Sequence, residues 1–212
     1  MRLSYILKVV AVAALALCSV AQASIIFDTG TTALVAGDPT QLGRLTRTGV
    51  ASDWSTNKTF PGVTNPNTTV HYRTYLIDPL SFNAPFVQVD VDDPMAAIFV
   101  SAYLDSYTPN SMVATRGLDI NYRGDDGSTG NPFTDPGFFQ VVIPAGHMLV
   151  LVINDPSTTN AGLGKNFDVL VEGFSDTQFT DPVPEPASIV LAGAGLGCLA
   201  LFRLRRKRGS IA

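Results

Sequence analysis

The sequence contains very little cysteine and histidine. Of its 212 residues only Cys18 and Cys198 are cysteines, and both lie in apolar segments near the ends of the chain. The long region between them has no thiol for a disulfide, a thiolate metal site or a cysteine nucleophile. The two histidines, His71 and His147, are too few for a zinc site built on several imidazoles or for most histidine-based acid–base catalysis.

Basic residues are scarce in the middle of the chain. Residues 24–182 contain 7 Lys or Arg and 17 Asp or Glu, an excess of ten negative charges, and 16 of the 17 acidic residues are Asp. Because a nucleic-acid-binding surface needs positive charge to neutralise phosphates, this composition excludes that class of function.

Residues 1–23 are predicted to be a secretory signal peptide with a helical apolar segment. Arg2 and Lys8 precede an apolar run over residues 9–18, and Ala21 and Ala23 form the small-x-small pattern that signal peptidase accepts. We therefore expect cleavage before Ser24. The alternative is a retained N-terminal anchor, but the run is about half the length that spans a bilayer.

The other end of the chain combines three features in a fixed order. A short motif (Val183, Pro184, Glu185, Pro186) precedes an uncharged apolar segment over residues 187–202, and a basic cluster follows at residues 203–208 (Arg203, Arg205, Arg206, Lys207, Arg208). As a helix the apolar segment would be about 24 Å long, slightly short of a typical hydrocarbon core. We predict a transmembrane helix with the basic cluster on the cytoplasmic side and residues 24–182 outside.

This order of motif, apolar helix and basic cluster resembles the PEP-CTERM sorting signal of Gram-negative bacteria. The resemblance implies an exosortase that cleaves near the motif and releases a transiently membrane-held protein toward the cell surface or extracellular matrix. The predicted organisation is a signal peptide over residues 1–23, an exported domain over 24–180 and a sorting signal over 181–212. The alternative is an ordinary membrane anchor with a proline-rich stalk.

The exported region is predicted to be all-β. Nine short strands are expected near residues 25–27, 43–47, 70–77, 86–92, 97–103, 118–122, 138–143, 148–154 and 167–173, separated by Pro, Gly, Asn and Asp turns. Val87, Val89 and Val91 alternate with polar residues, whereas residues 148–153 are apolar on both faces, as in a central strand. Such spacing is typical of an antiparallel β-sandwich or barrel.

Part of this region resembles a known domain type. Residues 101–104, 122–128, 139–146 and 167–171 together are similar to the β-sandwich of pre-peptidase C-terminal type. The resemblance implies a jelly-roll-like topology and an accessory, non-catalytic role.

Aspartates are the candidate metal ligands. Asp125 and Asp126 lie together on a glycine-flanked turn, and Asp90, Asp92 and Asp93 follow one another at a strand end. Ca²⁺ binds carboxylate oxygens of this kind, but neither group has the spacing of an EF-hand. We therefore expect solvated turn aspartates, with calcium at Asp125 and Asp126 as the alternative and no other cofactor.

The remaining candidates have ordinary structural interpretations. His71 is expected on a strand face and His147 at a strand start. Trp54, Phe60 and Tyr72 could form an aromatic platform for sugar rings, but packing is their more common use.

The sequence therefore predicts an exported, non-catalytic protein of the cell surface or matrix. Its expected partners are signal peptidase, exosortase, the membrane during sorting, and an exopolysaccharide or protein at the surface. The alternatives are a carbohydrate-binding module, with or without calcium, and a secreted hydrolase with an unrecognised carboxylate pair.

Overall fold

The computed structural model describes residues 23–55, 57–79, 84–129 and 137–175. They form ten β-strands: β1 (Ser24–Asp28), β2 (Thr32–Ala33), β3 (Thr40–Leu45), β4 (Val63–Ile77), β5 (Phe86–Asp92), β6 (Phe99–Leu104), β7 (Tyr122–Asp125), β8 (Phe138–Val142), β9 (Leu149–Asn154) and β10 (Asn166–Phe174). Within these ranges there is no α-helix, and the search for a helix able to cross a membrane found none there. The predicted signal helix and transmembrane helix lie outside the described residues.

The strands form two five-stranded sheets. Sheet one has the order β1-β10-β5-β8, and β2 also pairs with β10; sheet two has the order β3-β4-β9-β6-β7. Every strand pair is antiparallel. The all-β, antiparallel prediction is therefore confirmed.

Both sheets contribute side chains to one hydrophobic cluster. The buried members from β5, β8 and β10 of sheet one are Val87, Val89, Val91, Phe139, Val141, Phe167, Val169 and Val171. The buried members from β4, β6 and β9 of sheet two are Ile77, Val100, Ala102, Leu104, Leu149, Leu151 and Ile153. The alternation predicted in β5 is confirmed, because its three valines are buried while Gln88, Asp90 and Asp92 are partly or fully exposed.

Strand β9 is buried on both faces, as its uninterrupted apolar sequence predicts. Val150 and Val152 point away from the shared cluster and pack with Tyr103 in a second cluster. Tyr107, from the segment between β6 and β7, covers this face; its ring centroid is 4.7 Å from that of Tyr103. An aromatic layer therefore replaces solvent on the outer side of sheet two.

The strand predicted at residues 118–122 is wrong. Residues 111–121 form turns, and β7 begins only at Tyr122. Arg116, Gly117 and Asn121 adopt left-handed backbone conformations, with φ of 57°, 71° and 63°, which interrupt an extended chain. Leu118 is nevertheless fully buried. The apolar residues of this segment therefore indicated burial, but not a strand.

Strand β4 is longer than predicted. It begins at Val63, inside the stretch of Ser, Thr, Asn and Pro that precedes Val70. Asn65, Pro66 and Asn67 are exposed within it. The partners of β3 lie on either side of these residues, at 63–64 and 69–71. The polar composition of this stretch gives no sign of a strand.

Candidate functional site

The two ends of the described domain lie side by side. Strand β1 pairs with β10 so that Ser24 is opposite Gly173. Ser24 is the residue expected to follow signal-peptide cleavage, and β10 ends at Phe174, nine residues before Val183. The pairing therefore places the start of the exported domain next to the strand that leads toward the sorting motif.

The other residues predicted for sorting lie outside the described residues. They are Ala21 of the cleavage pattern, the motif residues Val183, Pro184, Glu185 and Pro186, and the basic residues Arg203, Arg205, Arg206, Lys207 and Arg208. Ala23 is described and is exposed.

Asp125 is buried, contrary to the expectation of a solvated turn. Its carboxylate has no solvent exposure, and it contacts the ammonium of Lys58 and the hydroxyl of Tyr122. The backbone N–H of Gly127 donates to Oδ1 at 2.7 Å. Burial, together with the charge of Asp125, raises the pKa of Tyr122, so this phenol stays protonated and acts as a donor.

Asp126 is also buried, with 5% exposure. Its Oδ2 accepts a hydrogen bond from the backbone N–H of Val100 at 3.0 Å, and its own N–H donates to the Val100 carbonyl at 3.1 Å. Adjacent residues at the end of β7 thus have separate partners. Asp125 contacts the segment before β4, and Asp126 contacts β6.

The aspartates of the second group, at the end of β5, also differ in burial and in hydrogen-bond partners. Asp93 is fully buried and accepts from the Ile98 N–H at 2.7 Å, Asp90 is half-buried beside Gln88, and Asp92 is exposed. Burial raises the pKa of both Asp90 and Asp93. Among the described residues, no group of three or more His, Cys, Asp and Glu side chains is arranged to hold a metal ion.

The two histidines contact different partners. His147 Nδ1 is 2.7 Å from Asp105 Oδ2 at the start of β9, in a pair exposed on the surface. Hydrogen bonding from the Met148 N–H, and then from His147, lowers the pKa of Asp105. His71 Nδ1 is 3.2 Å from the Asp38 carbonyl. His71 lies within β4, on a strand as expected, and His147 lies just before β9, at the expected strand start.

The three residues considered as an aromatic platform each pack against other aromatic rings. Trp54 is 8% exposed and packs against Phe86 and Phe174. Phe60 packs against Tyr122, and Tyr72 packs against Tyr107. Packing, the more common use, is what the structure shows.

Two surface pockets of about 260 Å³ could receive small polar groups. The first lies where Arg47 and Lys165 approach the turn after β9, and Asp155 in its lining directs its carboxylate to the N–H groups of Ser157 and Gly162, at 2.8 and 3.1 Å. The second is mostly polar, and among the residues that line it are Thr40, Gln41, Thr69, Asn110, Ser111 and Arg116.

Sequence reasoning missed the side chains that organise this domain. Lys58 at Asp125 and Arg73 at Asp38 were not singled out. Their signal was the composition itself: in a region with only seven basic residues, each buried or half-buried cation is a candidate partner for a specific carboxylate.

Comparison with known protein families matches the C-terminal part of the chain. Residues 182–207 match the model of the PEP-CTERM protein-sorting motif. The chain carries a PEP-CTERM sorting signal. The match contains Pro184, Glu185 and Pro186, the apolar segment over 187–202 and four of the five basic residues, ending at Lys207. No curated protein and no solved structure matches the chain.

A PEP-CTERM signal implies export, transient membrane anchoring and processing by an exosortase. The resemblance noted at the end of the sequence is therefore confirmed. The likeness of residues 97–174 to the pre-peptidase C-terminal type stays a prediction.

Proposed function

We propose that this protein is a non-catalytic component of the cell surface or extracellular matrix, exported by a cleaved signal peptide and sorted by exosortase through its PEP-CTERM signal. The observation that carries the proposal is the match over residues 182–207. Its partners in this scheme are signal peptidase, exosortase, the membrane during sorting and an exopolysaccharide at the surface.

The exported region acts as a binding module built on a jelly-roll sandwich. Three observations support this architecture: two antiparallel sheets, one cluster to which both contribute, and the strand order. Strands β1-β10-β5-β8 and β4-β9-β6-β7 alternate between sheets as in two Greek keys, with β3 added at one edge. The described contacts of His71, His147 and Asp125 are to structural partners, which supports the non-catalytic role.

The sorting step is tested by changing the motif alone. Pro184→Ala with Pro186→Ala removes the two prolines of the motif, a residue type that favours extended backbone, while Asp181→Ala, just outside the matched segment, is the control. We expect the proline variant to stay in the membrane fraction of the native host and the control to be released. Normal release of the proline variant would contradict recognition through this motif.

The processed ends are tested on the released protein. Mass spectrometry should find a chain that starts at Ser24 and ends close to Pro186. A released species that retains Arg205 to Arg208 would contradict removal of the tail.

Surface binding is tested with the processed protein and exopolysaccharide purified from the same host. We expect retention on the polysaccharide without turnover of it. Release of sugar fragments that stops on changing one Asp to Asn would instead indicate a hydrolase.

A further inference from the structure

Lys58 and Asp125 meet in a closed, fixed arrangement. Lys58 lies before β4 and Asp125 ends β7, 67 residues later in the chain. The Lys58 ammonium contacts Asp125 Oδ1 and the Val50 carbonyl, and the side chains are 13% and 0% exposed. The amine and the carboxyl carbon are therefore neighbours in a place that water scarcely reaches.

The backbone on both sides holds this contact in position. The Ser52 N–H donates to the Asp125 carbonyl at 3.0 Å, and the Gly49 N–H donates to the Gly127 carbonyl at 2.9 Å. Gly124 and Gly127 permit the close approach, since a Cβ at Gly124 would lie 2.3 Å from Ser52 Oγ. The segment before Lys58 is thus pinned against the end of β7, which limits the motion of the reacting groups.

We propose that Lys58 and Asp125 condense into an intramolecular isopeptide bond that links the segment before β4 to the end of β7. Lys58 Nζ passes one proton to Asp125 Oδ1 and attacks Cγ. The Nζ–Cγ bond forms, the Cγ–Oδ1 bond breaks, and Oδ1 leaves as water with that proton and a second one from Nζ. An ammonium and a carboxylate are consumed, and one amide and one water are produced, so no oxidant or co-reactant is needed.

The surroundings supply the catalysis that this step needs. Tyr122 donates its hydroxyl to Asp125 Oδ2, the oxygen that becomes negative in the tetrahedral intermediate and then remains as the amide carbonyl. Fixed groups of this kind reach effective concentrations of about 10⁵ M or more, and exclusion of water disfavours the reverse hydrolysis. Proton transfer within the contact also removes two charges from a buried site, where charges are costly.

The bond would do what a disulfide does in other exported domains. No cysteine lies between Cys18 and Cys198, so the described domain has no thiol with which to close its chain. An amide between residues 58 and 125 closes a long loop and restricts the unfolded state. Unlike a disulfide, it is unaffected by reductants.

A tryptic digest of the full-length protein tests the proposal directly. A lysine in an amide is not a trypsin site, so we expect residues 48–73 to be recovered uncleaved at Lys58 and joined to residues 124–165, with a mass one water below the sum. Recovery of separate, unmodified peptides 48–58, 59–73 and 124–165 from the folded wild type would overturn it and leave a buried ion pair.

Variants identify the atoms involved. Lys58→Arg keeps the positive charge but cannot condense, so the deficit of one water should disappear. Lys165→Arg, which changes the other lysine of the described domain, should keep it. Asp125→Asn should lose ammonia in place of water, and Tyr122→Phe should slow accumulation of the linked peptide. If Lys58→Arg does not fold, the wild-type digest and the Asp125→Asn leaving group still decide the question.

Discussion

The guanidinium of Arg73 meets the carboxylate of Asp38 at two points, with Nε 3.0 Å from Oδ1 and Nη2 2.8 Å from Oδ2. The same side chain donates from Nη1 to Thr32 Oγ1 at 3.2 Å and from Nη2 to the Ala33 carbonyl at 3.0 Å. Arg73 belongs to β4 of sheet two, whereas Thr32 and Ala33 form β2, which pairs with β10 of sheet one. One arginine therefore connects the two sheets.

Replacing Arg73 by Lys should destabilise the domain by about 1–3 kcal/mol. An ammonium keeps the charge but cannot make the two-point contact and also reach Thr32 and Ala33. Urea unfolding measures the loss, and Arg47→Lys on the exposed surface is the control, expected near zero. Equal midpoints for the two variants would show that the connection adds no stability.

Trp54 is the only tryptophan of the chain and is enclosed by aromatic rings. Its centroid is 5.9 Å from that of Phe86 and 5.3 Å from that of Phe174, and Nε1 donates to the Val87 carbonyl at 3.1 Å. Trp54→Ala should cost about 3–5 kcal/mol because it leaves a cavity, whereas Trp54→Phe should cost less because it keeps a ring. Circular dichroism during denaturation compares them. A loss below 1 kcal/mol for the alanine variant would contradict this packing.

Gly127 and Gly164 form a matched pair for a backbone test. Both have left-handed φ, of 75° and 71°, but a Cβ at Gly127 would lie 2.3 Å from the Val50 carbonyl carbon, whereas Gly164 has open space. Gly164→Ala should cost only the left-handed penalty of about 1–2 kcal/mol, and Gly127→Ala clearly more. Thermal unfolding gives both values. Equal costs would mean that the segment at Val50 does not pack on Gly127.

Asp90 should make the domain less stable as the pH rises. Burial raises the pKa of Asp90, hydrogen bonding from Gln88 opposes this, and the negative charge of Glu172 raises it further. An acid whose pKa is higher in the folded state contributes stability at low pH that is lost as the pH rises from the unfolded pKa through the folded one. Asp90→Asn removes this loss.

The pH dependence is measured by melting at pH 3 and pH 7. Asp90→Asn should raise the melting temperature relative to wild type at pH 7 more than at pH 3. Asp92→Asn, at an exposed neighbour, serves as the control. A shift of the same size at both pH values would argue against ionisation of Asp90 as the cause.

Calcium should leave the melting temperature nearly unchanged. The oxygens of Asp125 are directed to Lys58, Tyr122 and the Gly127 N–H, so a cation would have to displace these donors. A true ligand at about 100 times its dissociation constant would stabilise the fold by about 2.7 kcal/mol. A rise of several degrees in millimolar calcium, lost in Asp125→Asn with Asp126→Asn, would contradict this expectation.

Local patterns in the sequence predicted the regular parts of the fold. Alternating valines predict β5 because a strand buried on one face has an apolar residue at every second position. An unbroken apolar run predicts β9 because that strand is buried on both faces. The tail was equally readable, since its three parts are contiguous. Local patterns did not predict the two-residue strand β2 or the burial of Asp125, because both depend on contacts between distant parts of the chain. The residues around Asp125 favour a turn whether its carboxylate contacts water or Lys58, so the local sequence does not distinguish the two.

The pairing of Ser24 with Gly173 also distinguishes the two ends of the domain. The chain leaves β10 at Phe174, so a molecule held by its C-terminal tail is tethered at that end of the strand. The opposite end of β10, at Asn166, is about 26 Å away along the strand. The turns beside it, after β5 and after β9, carry Met95 and Lys165 and border the pocket at Arg47. These turns therefore lie at the end of β10 opposite to the end from which the chain continues toward its sorting signal.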